Sequence, residues 1–388
     1  MPTLGDVCAK YGAAYIDRYG GPGPGCAGLP SEHRRVLQLL ADCQTGRLGT
    51  ASYRCAQCQV IHHTAASCGN RHCPRCQTTK NGQWCVEQTK KLLPCEYFFV
   101  TFTIPSELRS FVRSNQNVCY RAMLDAAAFA LKTALANPKF CGADVVGFTS
   151  VLHTFGRDMS YHPHVHVIVP GGGMSGDAWM TTRPGFFAPV KLLSTLFRKE
   201  FERLLRLKLA ADRLPKARDF RREFVSDVEA VGDGVATLKY LSRYVFRTAI
   251  TNDRIVSLKD GQVTFSYRRS GEHRDRLMIL SVFEFLRRFL QHVLPRRLQK
   301  IRHYGFLSRH SKMNIDDVRD AIIESLRDVD PDLELEVWTP PALRHFANES
   351  PRCPRCGGSL LFESFHRIRP PPLNQPGRMS ARKLSHSF

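Results

Sequence analysis

Tyr161-His162-Pro163-His164-Val165-His166-Val167-Ile168-Val169, running into Pro170 and Gly171 to Gly173, is the stretch from which the fold is read. A strand starting at Pro163 alternates its side chains, so His162, His164 and His166 share one face and Val165, Val167 and Val169 the other. One face suits an apolar core; the other carries imidazoles. Upstream, Val151-Leu152-His153-Thr154-Phe155 also reads as a strand, and Gly156 to Tyr161 supplies a polar turn that folds it back antiparallel. A symmetric loop sets His153 opposite His164 and Val151 opposite His166. Three imidazoles then converge on one ion. About three histidines with open coordination positions form a catalytic arrangement, because a substrate oxygen can bind there and be polarised.

A second motif lies in Tyr240-Leu241-Ser242-Arg243-Tyr244-Val245-Phe246-Arg247, where Val235, Leu238, Leu241 and Val245 recur at helical spacing. Tyr240 and Tyr244 are four apart and stack on one helix face, with Arg247 close beyond. By themselves such tyrosines read more readily as a core stripe than as catalytic groups.

Two Cys-x-x-Cys pairs, Cys55/Cys58 and Cys73/Cys76, are spaced for a zinc ribbon, with Cys68, His62, His63 and His72 as competing ligands. Arg54, Arg71, Arg75 and Lys80 make this segment basic, as befits one that tracks DNA phosphates. A closed zinc site of this kind is structural.

Together these motifs resemble the HUH family of single-strand DNA endonucleases, named for histidine, bulky hydrophobe, histidine, here His164-Val165-His166. Within it the chain is similar to the two-tyrosine transposases of the rolling-circle insertion-sequence ninety-one family. The resemblance runs from the cysteines near residue 55 to about residue 310, including Ile301-Arg302-His303-Tyr304-Gly305-Phe306. It implies an α+β fold, an HUH-type antiparallel sheet flanked by helices and preceded by a small zinc-binding module. It also implies Mg²⁺ or Mn²⁺ on His164, His166 and a third ligand, for which strand pairing favours His153 and leaves His162 as the alternative. Tyr240 and Tyr244 become the nucleophiles, cutting single-stranded DNA through a 5′-phosphotyrosine and rejoining it without ATP. Two other functions fit part of the pattern. An HUH replication initiator or relaxase shares the chemistry; a non-catalytic zinc-ribbon DNA-binding regulator accounts for the cysteines and charge only.

With 388 residues, 43% of them hydrophobic, the chain has enough apolar material for two or three modules with real cores. Lysine and arginine outnumber acids 56 to 35, and the net charge of +21 favours a polyanionic partner, above all nucleic acid. The absence of a long apolar run and of a secretory leader pattern leads to an expected cytoplasmic location, associated with the nucleoid when bound to DNA, and no membrane partner. In that compartment 14 cysteines point to zinc rather than disulfides.

The expected divisions are 1–95, an N-terminal helix and zinc-binding module; 96–250, the catalytic domain; 251–345, a basic hairpin-plus-helix appendage; and 346–388, one further knuckle and a disordered basic tail. Expected elements are a helix capped by Ser31, a strand over 97–104, a helix over 118–136, strands over 145–155 and 163–169, and a helix over 192–209. A hairpin turns at Asp260-Gly261, and a helix over 282–293 leads into basic residues. Arg243, Arg247, Arg296, Arg297, Lys300 and Arg302 are the candidate DNA contacts. Cys353-Pro-Arg-Cys356 reads as a knuckle lacking a second half, which His345 or His366 would complete.

Overall fold

A computed structural model describes residues 1–22, 28–232, 245–268, 271–272, 274–329 and 352–368. In chain order the elements begin with α1 (Leu4–Tyr19), α2 (Ser31–Asp42), β1 (Thr50–Cys55), β2 (Ile61–Ala65), α3 (Pro74–Thr89), β3 (Tyr97–Thr103), α4 (Arg109–Ser114) and α5 (Gln116–Ala136). Next come β4 (Phe148–Phe155), β5 (Tyr161–Pro170), β6 (Gly172–Ser175), β7 (Ala178–Thr181), α6 (Val190–Lys208), α7 (Ala217–Phe220) and β8 (Val225–Gly232). Beyond them lie β9 (Ile255–Lys259), β10 (Gln262–Tyr267), β11 (Arg276–Ser281), α8 (Val282–Leu290), β12 (Ile301–Tyr304), α9 (Ile315–Val329) and β13 (Leu360–His366).

The chain forms two compact units, one of Met1–Val7 with Gly69–Glu349, the other of Cys8–Cys68 with Ser350–Phe388. The larger is built on a five-stranded antiparallel sheet in the order β12-β4-β5-β3-β8. Strand alternation divides its residues cleanly. Val165, Val167 and Val169 on β5 face the same side as Phe98, Val100 and Phe102 on β3, and pack under α5 and under Leu193, Phe197, Phe201 and Leu205 of α6. The opposite side of the sheet presents Phe99, Val151 and Ile168 to a second cluster with Trp179, Val245, Phe306, Val318 and Ile322.

Element types follow the sequence closely, and the differences have local causes. Ser31 is the first helical residue, and Pro30 holds the cap position that Ser31 was expected to fill. Val145 makes only an isolated bridge to Met174, so β4 begins at Phe148. Asp260 and Gly261 both take positive φ, 49° and 69°, as a two-residue hairpin turn requires. Ser281 caps α8 by accepting from the Glu284 amide at 3.3 Å.

The division expected at residues 250 and 251 does not separate compact units. β12, from beyond it, pairs with β4 as an edge strand of the sheet, Ile301 opposite Val151. Close to the division expected at residue 346 the larger unit gives way to the smaller, at Ser350, and β13 pairs with β1 within that smaller unit. That unit's sheet has the order β13-β1-β2.

Gly305 ends β12 at φ +56, and a Cβ there would collide with the Val146 carbonyl oxygen. Its neighbour Phe306 is buried with its ring over Gly147. Gly305→Ala is therefore expected to cost more than about 1 kcal/mol and to lower the thermal midpoint by roughly 3 °C or more. Circular-dichroism melting checks this; an unchanged midpoint would mean that the β12 turn moves aside freely.

Candidate active site

The polar turn Gly156–Ser160 returns the chain in the symmetric register: His153 pairs with His164 and Val151 with His166. Because paired residues share a face, the three imidazoles project together, 2%, 9% and 8% exposed for His153, His164 and His166. Ring centroids are 4.5 Å apart for His164 and His166, 4.8 Å for His153 and His166, and 5.5 Å for His153 and His164, with planes at 86°, 77° and 89°. One nitrogen from each ring lies within 4.8 Å of the other two. His162, the alternative third ligand, has its ring 5.2 Å from His164 and is not part of this group.

Their environment fixes which nitrogen is offered. His164 Nδ1–H donates to the His162 carbonyl at 2.6 Å, leaving the Nε2 lone pair for an ion. His166 Nδ1 meets the Thr101 hydroxyl at 3.0 Å from the paired position on β3, and its ring stacks on Phe99 at 4.8 Å. Burial pushes His164 down to about 3 and His166 well below its ordinary value, with further lowering from neighbouring imidazoles and Arg247. Both rings are thus neutral at pH 7 and able to ligate a metal.

A cavity beside β4 is lined by Arg71, His72, Leu152, Thr154, Arg247, His292 and Lys300, among others. The Arg71 guanidinium donates to the carbonyls of Leu294, Pro295 and Leu298 at 3.1, 2.7 and 2.6 Å, which shapes this wall. The Lys300 amine donates to the Arg247 carbonyl at 3.1 Å, and burial, then Arg71, pushes its pKa down to about 7. Lys300, a candidate DNA contact, lines the cavity wall. Arg296 and Arg297 are exposed, whereas Arg302 is held by Asp125 at 2.6 Å. Tyr240, Tyr244 and Arg243 lie outside the described residues, as does His345.

Cys55 and Cys58 gather with Cys353 and Cys356, all within the smaller unit. Cys73 and Cys76, expected to complete that quartet, belong to the larger unit, where they open α3. The expected grouping is corrected: the strand β13 carries the C-terminal knuckle to the end of β1, and His366 is not in the group. Cys68, the expected alternative, donates its amide to the Cys43 sulfur at 3.4 Å. The Cys58 amide is the chief cause holding the Cys55 thiol down at about 6. Sequence reading missed Thr101, whose only signal is an alternating threonine in a buried strand, and missed the pairing of Cys55/Cys58 with Cys353/Cys356, which equal Cys-x-x-Cys spacing alone would suggest.

A basic chain with an antiparallel sheet, a three-histidine centre and a cysteine-rich unit fits the class of DNA-processing enzymes, and comparison with known proteins makes the class definite. A transposase family matches residues 147–314 and a transposase zinc-binding domain matches residues 7–104. The chain is 33% identical to transposase y4qJ of Sinorhizobium fredii, covering 96% of this chain and 97% of that protein. It is 25% identical to the transposase for insertion sequence element IS801 of Pseudomonas savastanoi pv. phaseolicola, covering 85% and 83%. The chain belongs to the IS91 family of insertion-sequence transposases. Among the described residues no helix is long and apolar enough to cross a membrane.

Burial of neutral imidazoles makes stability depend on acid. His292 is buried against the Thr154 hydroxyl and the Met159 carbonyl, and burial lowers its pKa to about 4. An unfolded imidazole takes its proton near 6.5. The stability that neutral His164 and His292 contribute is complete above about pH 6.5 and is lost as pH falls through 4 toward 3. Thermal midpoints measured without added divalent metal should be flat from pH 8 to 7 and then fall. His292→Gln, which keeps a donor and an acceptor, should fall less steeply; identical slopes would remove His292 as a cause.

Proposed function

We propose that this transposase cuts and rejoins single-stranded DNA by tyrosine attack at a divalent-metal centre held by His153, His164 and His166. The observation that carries the reading is the convergence of three buried imidazoles whose ring planes are nearly perpendicular. Three nitrogen donors suit Mn²⁺ better than Mg²⁺, which prefers an all-oxygen shell. Bound there, the metal supplies polarisation of a phosphate oxygen and neutralises charge that develops on it.

The chain's own groups do the rest. A Tyr240 or Tyr244 hydroxyl oxygen bonds to phosphorus as the 3′-oxygen leaves with a proton, giving a 5′-phosphotyrosine and a free 3′-hydroxyl. The ester energy is kept in the link, so the hydroxyl of another strand reverses the step and joins DNA without ATP. Two tyrosines let one site hold one strand while cutting a second. Supporting the tyrosine assignment is chain position: Val245, next to Tyr244, is buried in the cluster with Phe99, Val151 and Ile168 on the histidine side of the sheet. Arg247, two residues on, lowers the pKa of His164 and His166 by its charge, which supports a role for its guanidinium in holding a phosphate. His164 and His166 stay oriented by the His162 carbonyl and Thr101.

Purified protein is to be incubated with 3′-labelled single-stranded DNA containing candidate element ends, in Mn²⁺ or Mg²⁺, and run on a denaturing gel. Label should migrate with protein, more in Mn²⁺ than in Mg²⁺, and disappear in Tyr240→Phe/Tyr244→Phe and in His164→Ala. Thr101→Val should need about 10 to 100 times more metal for the same yield. Tight DNA binding with no adduct on any oligonucleotide would sink the covalent mechanism.

A further inference from the structure

We propose that Cys55, Cys58, Cys353 and Cys356 bind a single structural Zn²⁺ as a tetrathiolate, so that a segment some 300 residues further along the chain completes the zinc unit begun at β1. The inference rests on the zinc-binding character of residues 7–104 and is independent of the tyrosine chemistry. Cys353 and Cys356 lie outside both family-matched ranges.

Each pair sits in a hairpin turn that turns its sulfurs inward. Cys55 ends β1, and the turn to β2 closes through Gln59 at φ +59 with its amide donating to the Cys55 carbonyl at 3.1 Å. The second turn is bracketed by an Arg352–Ser359 bridge, with the Cys353 amide donating to the Gly358 carbonyl at 2.7 Å. The Ala56 amide donates to the Ser359 carbonyl at 2.9 Å, stitching one knuckle to the other. Cys55 and Cys356 sulfurs lie 3.4 Å apart, Cys58 and Cys353 3.7 Å, and all four fall within 4.8 Å of one another. Zn–S bonds of about 2.3 Å in a tetrahedron separate the sulfurs by about 3.8 Å. A disulfide needs about 2.05 Å, and none is present among these cysteines. His62 Nε2 reaches the Cys353 sulfur at 3.1 Å, an outer partner of the kind that orients a ligand.

The seat for the C-terminal segment is shaped into the fold. β13 pairs with β1 from Thr50 opposite His366 to Cys55 opposite Leu360, and Arg54 joins Glu363. Gly49, at φ +115, leaves room for the His366 carbonyl that a Cβ would strike. Loading the site releases the thiol protons still bound as Zn²⁺ takes the four thiolates, with no change of oxidation state.

The test uses the full chain and counts zinc by mass spectrometry. Cys55→Ser/Cys58→Ser and Cys353→Ser/Cys356→Ser should each lose one equivalent, and the quadruple variant one, not two. Cys356→His should keep it, because three thiolates and an imidazole also hold zinc. Should the serine variants be insoluble, alkylation of the unmutated protein decides: all four thiols should be protected together and released together by a chelator. Full zinc in Cys353→Ser/Cys356→Ser, two equivalents lost in the quadruple variant, or alkylation of Cys353 and Cys356 before chelation would overturn the assignment. Protein that takes up no zinc at all would overturn the zinc-binding reading itself.

Discussion

Everything chemical in the larger unit depends on the register of β5 against its neighbours. Side chains repeat every two residues along a strand, so a slip of one residue exchanges the two faces completely. On β5 that exchange would drive His164 and His166 into the layer under α5 and α6 and lift Val165, Val167 and Val169 to the other side. The apolar side prevents it: Phe98, Val100 and Phe102 stand opposite those valines on β3, and all six side chains are fully buried. The histidines are thus aligned by the residues behind them. A core that tolerates no slip is what lets three imidazoles meet.

That side has an unusual electrostatic character. Buried imidazoles hold no charge, and each needs a polar partner for the nitrogen not offered to a metal. The His162 carbonyl and the Thr101 hydroxyl meet that need, and both come from the strands themselves. The charges of Arg247 and Lys300 act on His166, and the cavity that these two share with Arg71 has no acid among the described residues that line it. Burial first, and then repulsion from the like charge of Arg71, holds the pKa of Lys300 low. Under the proposed reading a DNA phosphate is the group that relieves this repulsion, and it arrives at the same place as the reacting bond.

How much of this was legible depended on distance along the chain. The histidine register could be read because only the short Gly156–Ser160 turn separates the two strands, and turn length dictates pairing. The helices α5 and α6 and the β9–β10 hairpin were legible for the same local reason. Thr101 could not be found this way, since nothing in its own surroundings says which strand lies beside β3. The same holds for β12, read as part of an appendage because it follows a basic helix, yet an edge strand of the central sheet. Tyr240 and Tyr244 are legible only as a motif, and their support comes from Val245, which is described beside them.

The cysteines were misgrouped through a plausible assumption, that near pairs close before distant ones. Joining Cys58 to Cys73 spans 15 residues, and joining it to Cys353 spans 295. Loop-closure entropy grows only logarithmically, at about 0.6 kcal/mol per doubling, so the longer closure costs roughly 2.5 kcal/mol more. A structural zinc site contributes about 10 to 16 kcal/mol in isolated zinc-binding peptides, and the six paired positions of β1 and β13 add to it. Proximity in sequence is therefore too weak to choose the partner. What chooses is the strand that carries each knuckle, and β13, seven residues ending beside Gly49, fits the open edge of β1. On the proposed assignment a chain cut short before residue 353 would keep every histidine and tyrosine of the catalytic region and still lack two of the four thiolates of this site.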